Sequence, residues 1–352
     1  NVKLRYLGVI VLSIVASFLV SMLVLRDDND SGDEVEVVIV QPNIDPYTTK
    51  FITPPSEQID KMVALAKQKL TPTTDYLIFP ETAIPESHWE HEIEFLYATE
   101  KIRELHETSP NLKTIIGSLS THLFLPGEKL TPAARGFRDG NGFYENYNSA
   151  IFIDSSAQTQ MHKKSKLVLG VEKLPFINAI PFLKKLSINL GGTSGVLGSS
   201  EHPTVFRSDE DSAIIAPIIC YESIYGEYVT EYSRQGANLF AIITNDGWWD
   251  DTPGYKQHMA YARLRAIENR KYIVRSANTG ISAVIDDRGS VLERTEWWED
   301  AVISAKVKLN STVTFYAKYG DYIGRIASLL AGLMIALTVV RTLNKTGKRL
   351  SN

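Results

Sequence analysis

The chain contains a single cysteine, Cys220. It closes the apolar run Ala-Ile-Ile-Ala-Pro-Ile-Ile and precedes Tyr-Glu-Ser-Ile-Tyr, the pattern of a strand-to-helix junction. A thiol at such a junction is exposed near the positive end of a helix, which favours the thiolate, and a thiolate can attack a carbonyl carbon. The local pattern equally fits a buried cysteine acting as a small hydrophobe. Glu81 holds the matching place after another apolar run, in Tyr-Leu-Ile-Phe-Pro-Glu-Thr-Ala-Ile-Pro. A carboxylate there can take a thiol proton and return it to a leaving group, although alone it reads as a helix cap or surface charge. The segment Met-His-Lys-Lys-Ser-Lys-Leu-Val-Leu-Gly-Val-Glu carries Lys163, Lys164 and Lys166 and ends at Glu172. One lysine turned inward would supply fixed positive charge for an oxyanion. A solvated loop is the simpler reading, and spacing does not choose among the three.

Other chemistries find less support. His258 has no second histidine or cysteine at metal-ligand spacing, so it reads as a structural histidine and no metal is expected. No glycine-rich phosphate loop joins a strand to a helix, so no nucleotide cofactor is expected. The net charge of -4, without a long basic block, gives no footprint for nucleic acid. One cysteine allows no intrachain disulfide, so the redox compartment is not legible from pairing.

The elements that must position these residues follow from periodicity. Strand-like apolar runs occupy residues 35–40, 76–79, 114–119, 150–153, 213–219, 239–244, 272–276 and 282–285. Helical spacing occupies 56–70 and 257–271; in the second, Met259, Ala262, Leu264, Ala266 and Ile267 alternate with charged residues. The expected class is α/β, with one domain over 30–321, since no repeat or long linker divides it. Functional groups in such sheets gather at carboxyl ends of strands.

Apolar stretches bracket this domain. Residues 6–25 carry no charge and are long enough to span a bilayer, whereas 326–340 is marginal and also fits a buried core helix. Lys3 and Arg5 precede the first and Arg341, Lys345, Lys348 and Arg349 follow the second. Both basic ends are therefore expected to be cytoplasmic. The expected organisation is a transmembrane helix and exit segment over 1–29, a catalytic domain on the far side of the membrane, and a C-terminal transmembrane helix with basic tail over 322–352. A cleavable signal peptide is the alternative for the N-terminus, but the apolar stretch exceeds the usual length. A start at Asn1 rather than Met reads as a fragment or processed product, with room for further segments before it.

The combination of motifs resembles the nitrilase, or carbon-nitrogen hydrolase, superfamily. Phe-Pro-Glu-Thr-Ala-Ile-Pro around Glu81, Lys-x-x-Leu-Val with the later Glu172, and Ile-Cys-Tyr-Glu around Cys220 occur in its order and approximate spacing. Further matches are Gln41-Pro42-Asn43, Tyr147-Asn148-Ser149, Asn245-Asp246-Gly247-Trp248-Trp249, Gln257-His258 and Asn278-Thr279-Gly280-Ile281-Ser282. Within it, Cys220-Tyr221-Glu222, the Trp-rich segment and the bracketing apolar stretches are most similar to the apolipoprotein N-acyltransferase branch. The resemblance implies a nitrilase-like αββα sandwich flanked by transmembrane helices. It also implies a Glu81, Lys164, Cys220 triad with Glu172 and Glu222 as supporting carboxylates and the Tyr221 N–H beside Lys164 as an oxyanion donor.

The implied reaction takes a fatty acyl chain from a phospholipid onto Cys220 and passes it to the N-terminal amine of a diacylglyceryl-cysteine lipoprotein at the inner membrane. Three departures mark this sequence. Leu167-Val168-Leu169-Gly170-Val171-Glu172 replaces the usual Leu-Val-Pro-Phe-Gly-Glu, Phe51 stands for a common Trp, and earlier membrane helices of the family are missing. Phe51, Trp248, Trp249 and Tyr255 are candidates for substrate contact, as is an amphipathic lid over 176–190, though ordinary core packing explains the aromatics and the helix equally well. A membrane-tethered amidase that sends the thioester to water, or a silent binding protein of the same fold, are the rival readings.

Overall fold

The computed structural model describes residues 2–25, 32–50, 52–156, 158–173 and 197–350. The candidate Phe51 and the candidate lid over 176–190 lie outside the described residues.

Helix α1 (Val2–Leu25) leads into strand β1 (Glu34–Gln41). Seven strands follow one another into the first sheet: β1, β2 (Tyr76–Ile78), β3 (Ile84–Trp89), β4 (Lys113–Leu123), β5 (Arg135–Gly136), β6 (Phe143–Ile153) and β7 (Gln160–Lys163). The second sheet takes β8 (Phe206–Arg207), β9 (Ile214–Ile219), β10 (Leu239–Thr244), β11 (Ile273–Ala277), β12 (Ala283–Ile285) and β13 (Val291–Arg294). The last strand, β14 (Ala301–Lys308), returns to the first sheet antiparallel to β1. At the heart of each sheet the strands are parallel, β1–β2–β4 in one and β9–β10–β11 in the other. Parallel strands need covered faces, which is why these read as continuous apolar runs rather than alternating ones.

The inner faces pack on each other. Val37 and Ile39 of β1, Ile78 of β2 and Phe152 of β6 meet Ile215 of β9, Ala241 and Ile243 of β10 and Val274 of β11 in one buried cluster. The outer face of the first sheet is covered by α2 (Pro55–Lys67) and α3 (Tyr97–Glu104), that of the second by α4 (Gly226–Arg234) and α5 (Gly254–Asn269). Each fully buried aliphatic side chain in these layers stabilises the fold by roughly 1.5–3 kcal/mol. In α2, Pro55 opens the first turn, where its missing N–H costs nothing, and Ile59, Met62, Val63 and Ala66 form the buried stripe. The layers are helix, sheet, sheet, helix.

The periodicity of α5 misplaced one face. The helix buries Tyr255, His258, Met259, Ala262, Arg265, Ala266 and Asn269, while Leu264 and Ile267, expected among its apolar positions, are exposed. Arg265 takes the inward place because its guanidinium finds Ile224 O at 3.1 Å and Glu268 Oε1 at 2.9 Å.

A short helix α6 (Phe315–Tyr319), capped by Thr314, precedes α7 (Tyr322–Leu350). Its apolar part, Tyr322–Leu343, is 22 residues long, against the marginal stretch expected, and Arg5–Leu23 of α1 is 19. Neither window is buried in the molecule, so the buried-core alternative for the second does not hold. Both are long and apolar enough to cross a bilayer.

Candidate active site

The carboxyl ends of β2, β7, β9 and β10 bring the site residues together. Glu81 lies three residues beyond β2, on an elbow whose next residue, Thr82, has φ 49°. Gly117 of β4 makes this elbow possible: a Cβ there would lie 2.5 Å from Thr82 N and 2.6 Å from the Glu81 Cα, so only glycine lets the two backbones approach. The Glu81 carboxylate accepts from Asn148 Nδ2 at 2.7 Å and from the Asn245 N–H at 3.0 Å. Its orientation is thus set by β6 and by the end of β10.

Of the three lysines, Lys164 is the one turned in. Lys163 pairs with Glu90 at 2.7 Å and Lys166 lies over the Tyr228 ring. Lys164 Nζ sits between two carboxylates, 3.0 Å from Glu81 Oε1 and 2.8 Å from Glu172 Oε1. Glu172 is itself oriented by the Val168 N–H at 2.8 Å. Burial alone would pull the ammonium down, but Glu172, then Glu81 and Cys220, hold it well above the ordinary lysine value. It is a permanent cation.

Cys220 follows β9 directly and has φ 48°, a strained left-handed conformation for a residue with a Cβ. Its carbonyl accepts from Ser223 Oγ at 2.7 Å and lies 3.0 Å from His258 Nε2. His258 Nδ1 lies 2.8 Å from Asp246 Oδ1, and Asp246 Oδ2 accepts from Arg275 at 2.6 Å. Burial would raise the Asp246 carboxyl, yet Arg275 and then His258 hold it well below the carboxylate range. A buried chain of hydrogen-bonded polar groups, anchored by the Asp246–Arg275 ion pair, thereby clamps the strained turn. His258 is a partnered residue on the wall of the site, in keeping with its structural reading.

The expected thiolate is corrected. Burial, followed by the charge of Glu81, pushes the Cys220 thiol up, and Lys164 offsets this only partly. Cys220 opens a 3-10 turn of five residues, Cys220–Ile224, not an α-helix, so there is no long aligned dipole to favour the anion. The thiol therefore keeps its proton at rest and depends on a base.

Glu222 does not line the cavity. Fully buried, it accepts from the Ser165 N–H at 2.6 Å, the Ile219 N–H at 2.8 Å and Tyr228 at 3.0 Å, with His162 Nε2 at 3.3 Å. Burial raises its carboxyl, but His162 and these donors bring it below the ordinary value. It ties the Lys164 loop to the Cys220 turn and is a positioning residue.

Glu81, Lys164, Glu172, Cys220 and Tyr221 share one hollow of about 220 Å³, mostly apolar through Pro85, Leu119, Val168, Val171 and Leu197. Trp248 and Trp249 wall it, with Trp248 braced edge-on by Tyr47. Tyr255, proposed for lipid contact, instead stacks on Trp297 away from the cavity. Asn148, Asn245 and Lys50 also line it and were not singled out as site residues by sequence. The first two stood in matched motifs; for the buried Lys50, whose Nζ donates to Thr82 Oγ1, no local signal existed. Among the described residues no group of three or more His, Cys, Asp and Glu could hold a metal.

The sandwich and its strand-end cysteine, lysine and glutamate define a class. The carbon-nitrogen hydrolase family model matches residues 37–316, and the chain belongs to that family. It is 30% identical to an apolipoprotein N-acyltransferase of Chlorobaculum tepidum over 97% of this chain and 64% of that protein. A second apolipoprotein N-acyltransferase, of Geobacter metallireducens, is 28% identical over 89% of the chain and 55% of its own length. The chain thus spans between half and two thirds of these relatives. A CN-hydrolase superfamily protein of Xanthomonas campestris shares the fold with a TM-score of 0.53 at 14% identity, covering 78% of this chain and 91% of that one.

Proposed function

We propose that this chain is the catalytic part of an apolipoprotein N-acyltransferase, moving a fatty acyl group from phospholipid to the N-terminal amine of a diacylglyceryl-cysteine lipoprotein. The observation that carries this is a buried lysine held between Glu81 and Glu172 in a largely apolar cavity shared with Cys220. The relatives' names supply the substrate class.

In the first half-reaction Glu81 takes the Cys220 proton and the sulfur attacks the ester carbonyl. Lys164 and the Tyr221 N–H receive the oxyanion. As the tetrahedral intermediate collapses, Glu81 returns the proton to the leaving alkoxide, giving a thioester and a lysophospholipid. In the second, the amine attacks the thioester carbonyl, the C–S bond breaks, and the amine's proton passes through Glu81 to the sulfur, leaving an amide and free thiol. Glu172 orients Lys164, while the apolar walls with Trp248 and Trp249 receive the acyl chain. Helices α1 and α7 cross the inner membrane and place the domain on its periplasmic side.

The test adds a diacylated lipopeptide with a free amine to protein first loaded from phospholipid. Transfer of the acyl mass to the lipopeptide is expected. Loss of the acyl group to water alone, with the lipopeptide unchanged, would replace this reading by a membrane-tethered amidase.

A further inference from the structure

Strands β4 and β6 run on past the catalytic cavity. Leu119 and Asn148, paired across the two strands, line that cavity. Two residues further along each strand, on the same face because side chains alternate, Thr121 pairs with Asn146. Both line a second hollow, of about 380 Å³. Its floor therefore lies roughly 7 Å from that of the catalytic cavity, at about 3.4 Å per residue.

The chemistry of this hollow differs from the first. Thr121 Oγ1 donates to Asn146 Oδ1 at 3.1 Å, so Ser87, at 2.8 Å, donates to Thr121. That leaves the Ser87 oxygen free to accept and Asn146 Nδ2 free to donate, without a partner among the described residues. Trp89, Phe137 and Tyr144 stand around this floor, with ring centroids 5.0–6.3 Å apart. A paired donor and acceptor between aromatic walls matches a peptide group, which offers one N–H and one C=O. A phosphate offers only acceptors and calls for converging cations, whereas among the described residues the one charged side chain lining the hollow is Arg138, which is exposed.

We infer that this second hollow is the acceptor-peptide subsite, binding the residues that follow the N-terminal cysteine of the lipoprotein while its amine reaches Cys220. The inference rests on the acyl-transfer reading above. An extended chain advances about 3.3 Å per residue, so the second and third residues of the acceptor fall over Thr121 and Asn146. Specificity of this kind comes from backbone pairing and leaves the side chains of the acceptor largely unread.

The experiment compares two acceptors with the full chain in phospholipid vesicles: a diacylated lipopeptide of several residues and the diacylated cysteine amide alone. The variants are Ser87→Ala, which removes the accepting oxygen, and Asn146→Ala, which removes the donating amide. Wild type is expected to prefer the longer acceptor, and each variant to lower that preference by roughly five- to tenfold, the worth of about one hydrogen bond, with thioester formation from phospholipid at its wild-type rate. The ratio between acceptors is independent of how much variant folds. Equal use of both acceptors by wild type, or an unchanged ratio in both variants, overturns the subsite while leaving acyl transfer intact. Slower thioester formation in the variants assigns the hollow to the donor's headgroup and also overturns it. Failure of wild type to form any thioester overturns the acyl-transfer reading, and the subsite with it.

Discussion

Lys164 separates the electrostatic account from a merely structural one. Two carboxylates share its ammonium, so Lys164→Met leaves like charges together in a buried site. Thioester formation is expected to fall at least ~100-fold through loss of the oxyanion's cation, and stability to fall by about 3–5 kcal/mol as a buried pair is broken. Adding Glu172→Gln removes the excess charge and should restore most of the melting temperature but none of the rate. Recovery of both would show that the lysine only holds the fold. Acid stability follows from the same physics. Asp246 and Glu222 are both held below their ordinary values, so they bind fewer protons folded than unfolded. The stability they contribute is complete above the unfolded carboxyl values of about 4 and is lost as pH falls through the depressed folded values. Denaturant midpoints measured from pH 6 down to 3 should drop steeply for wild type and less steeply for Asp246→Asn, which starts lower.

Among the elements, two junctions decide the site's geometry. Gly117 permits the crossing of the Glu81 elbow over β4, and the atoms an added Cβ would meet are backbone and cannot swing aside. Gly117→Ala should cost about 1–3 kcal/mol and lower kcat for acylation more than it changes KM, as kinetics with soluble ester substrates would show. These junctions also mark where sequence stops being legible. The buried parallel strands β1, β9 and β10 stand out as unbroken apolar runs, and Glu81 and Cys220 follow from lying just after such runs. By contrast β3, β7 and β13 are short and polar, since hairpin and edge strands face solvent on one side and carry no run to read. The choice of Lys164 over Lys163 and Lys166 needed the resemblance, because alternate faces of β7 and its loop differ only in which partners, Glu172 or Glu90, the fold brings near. The resting state of the thiol was misread because it depends on burial and on Glu81, distant in sequence, rather than on the local turn.

At the scale of the molecule, a closed sandwich stands between two exposed apolar helices. Windows Arg5–Leu23 and Tyr322–Leu343 carry none of the core, so the domain should fold without them. A version trimmed to residues 32–321 is expected to keep its melting transition and to stay in the supernatant when sedimented with phospholipid vesicles, where the full chain pellets. It should still acylate from short-chain soluble esters but lose ~10-fold or more against vesicle lipid, since membrane tethering supplies local substrate concentration. Unfolding of the trimmed domain would mean that the helices belong to its core after all.

The central claim is that Cys220, deprotonated by Glu81 beside the Lys164 cation, carries the acyl group as a thioester. Intact-mass spectrometry of the full chain incubated with phospholipid tests it most directly, comparing wild type, Cys220→Ala and Glu81→Gln. The account predicts a fatty-acyl mass increment on wild type that hydroxylamine removes, none on Cys220→Ala, and a rate of appearance reduced by about 10²–10⁴ in Glu81→Gln. An increment of equal size on Cys220→Ala, or one formed at the wild-type rate without Glu81, would contradict it.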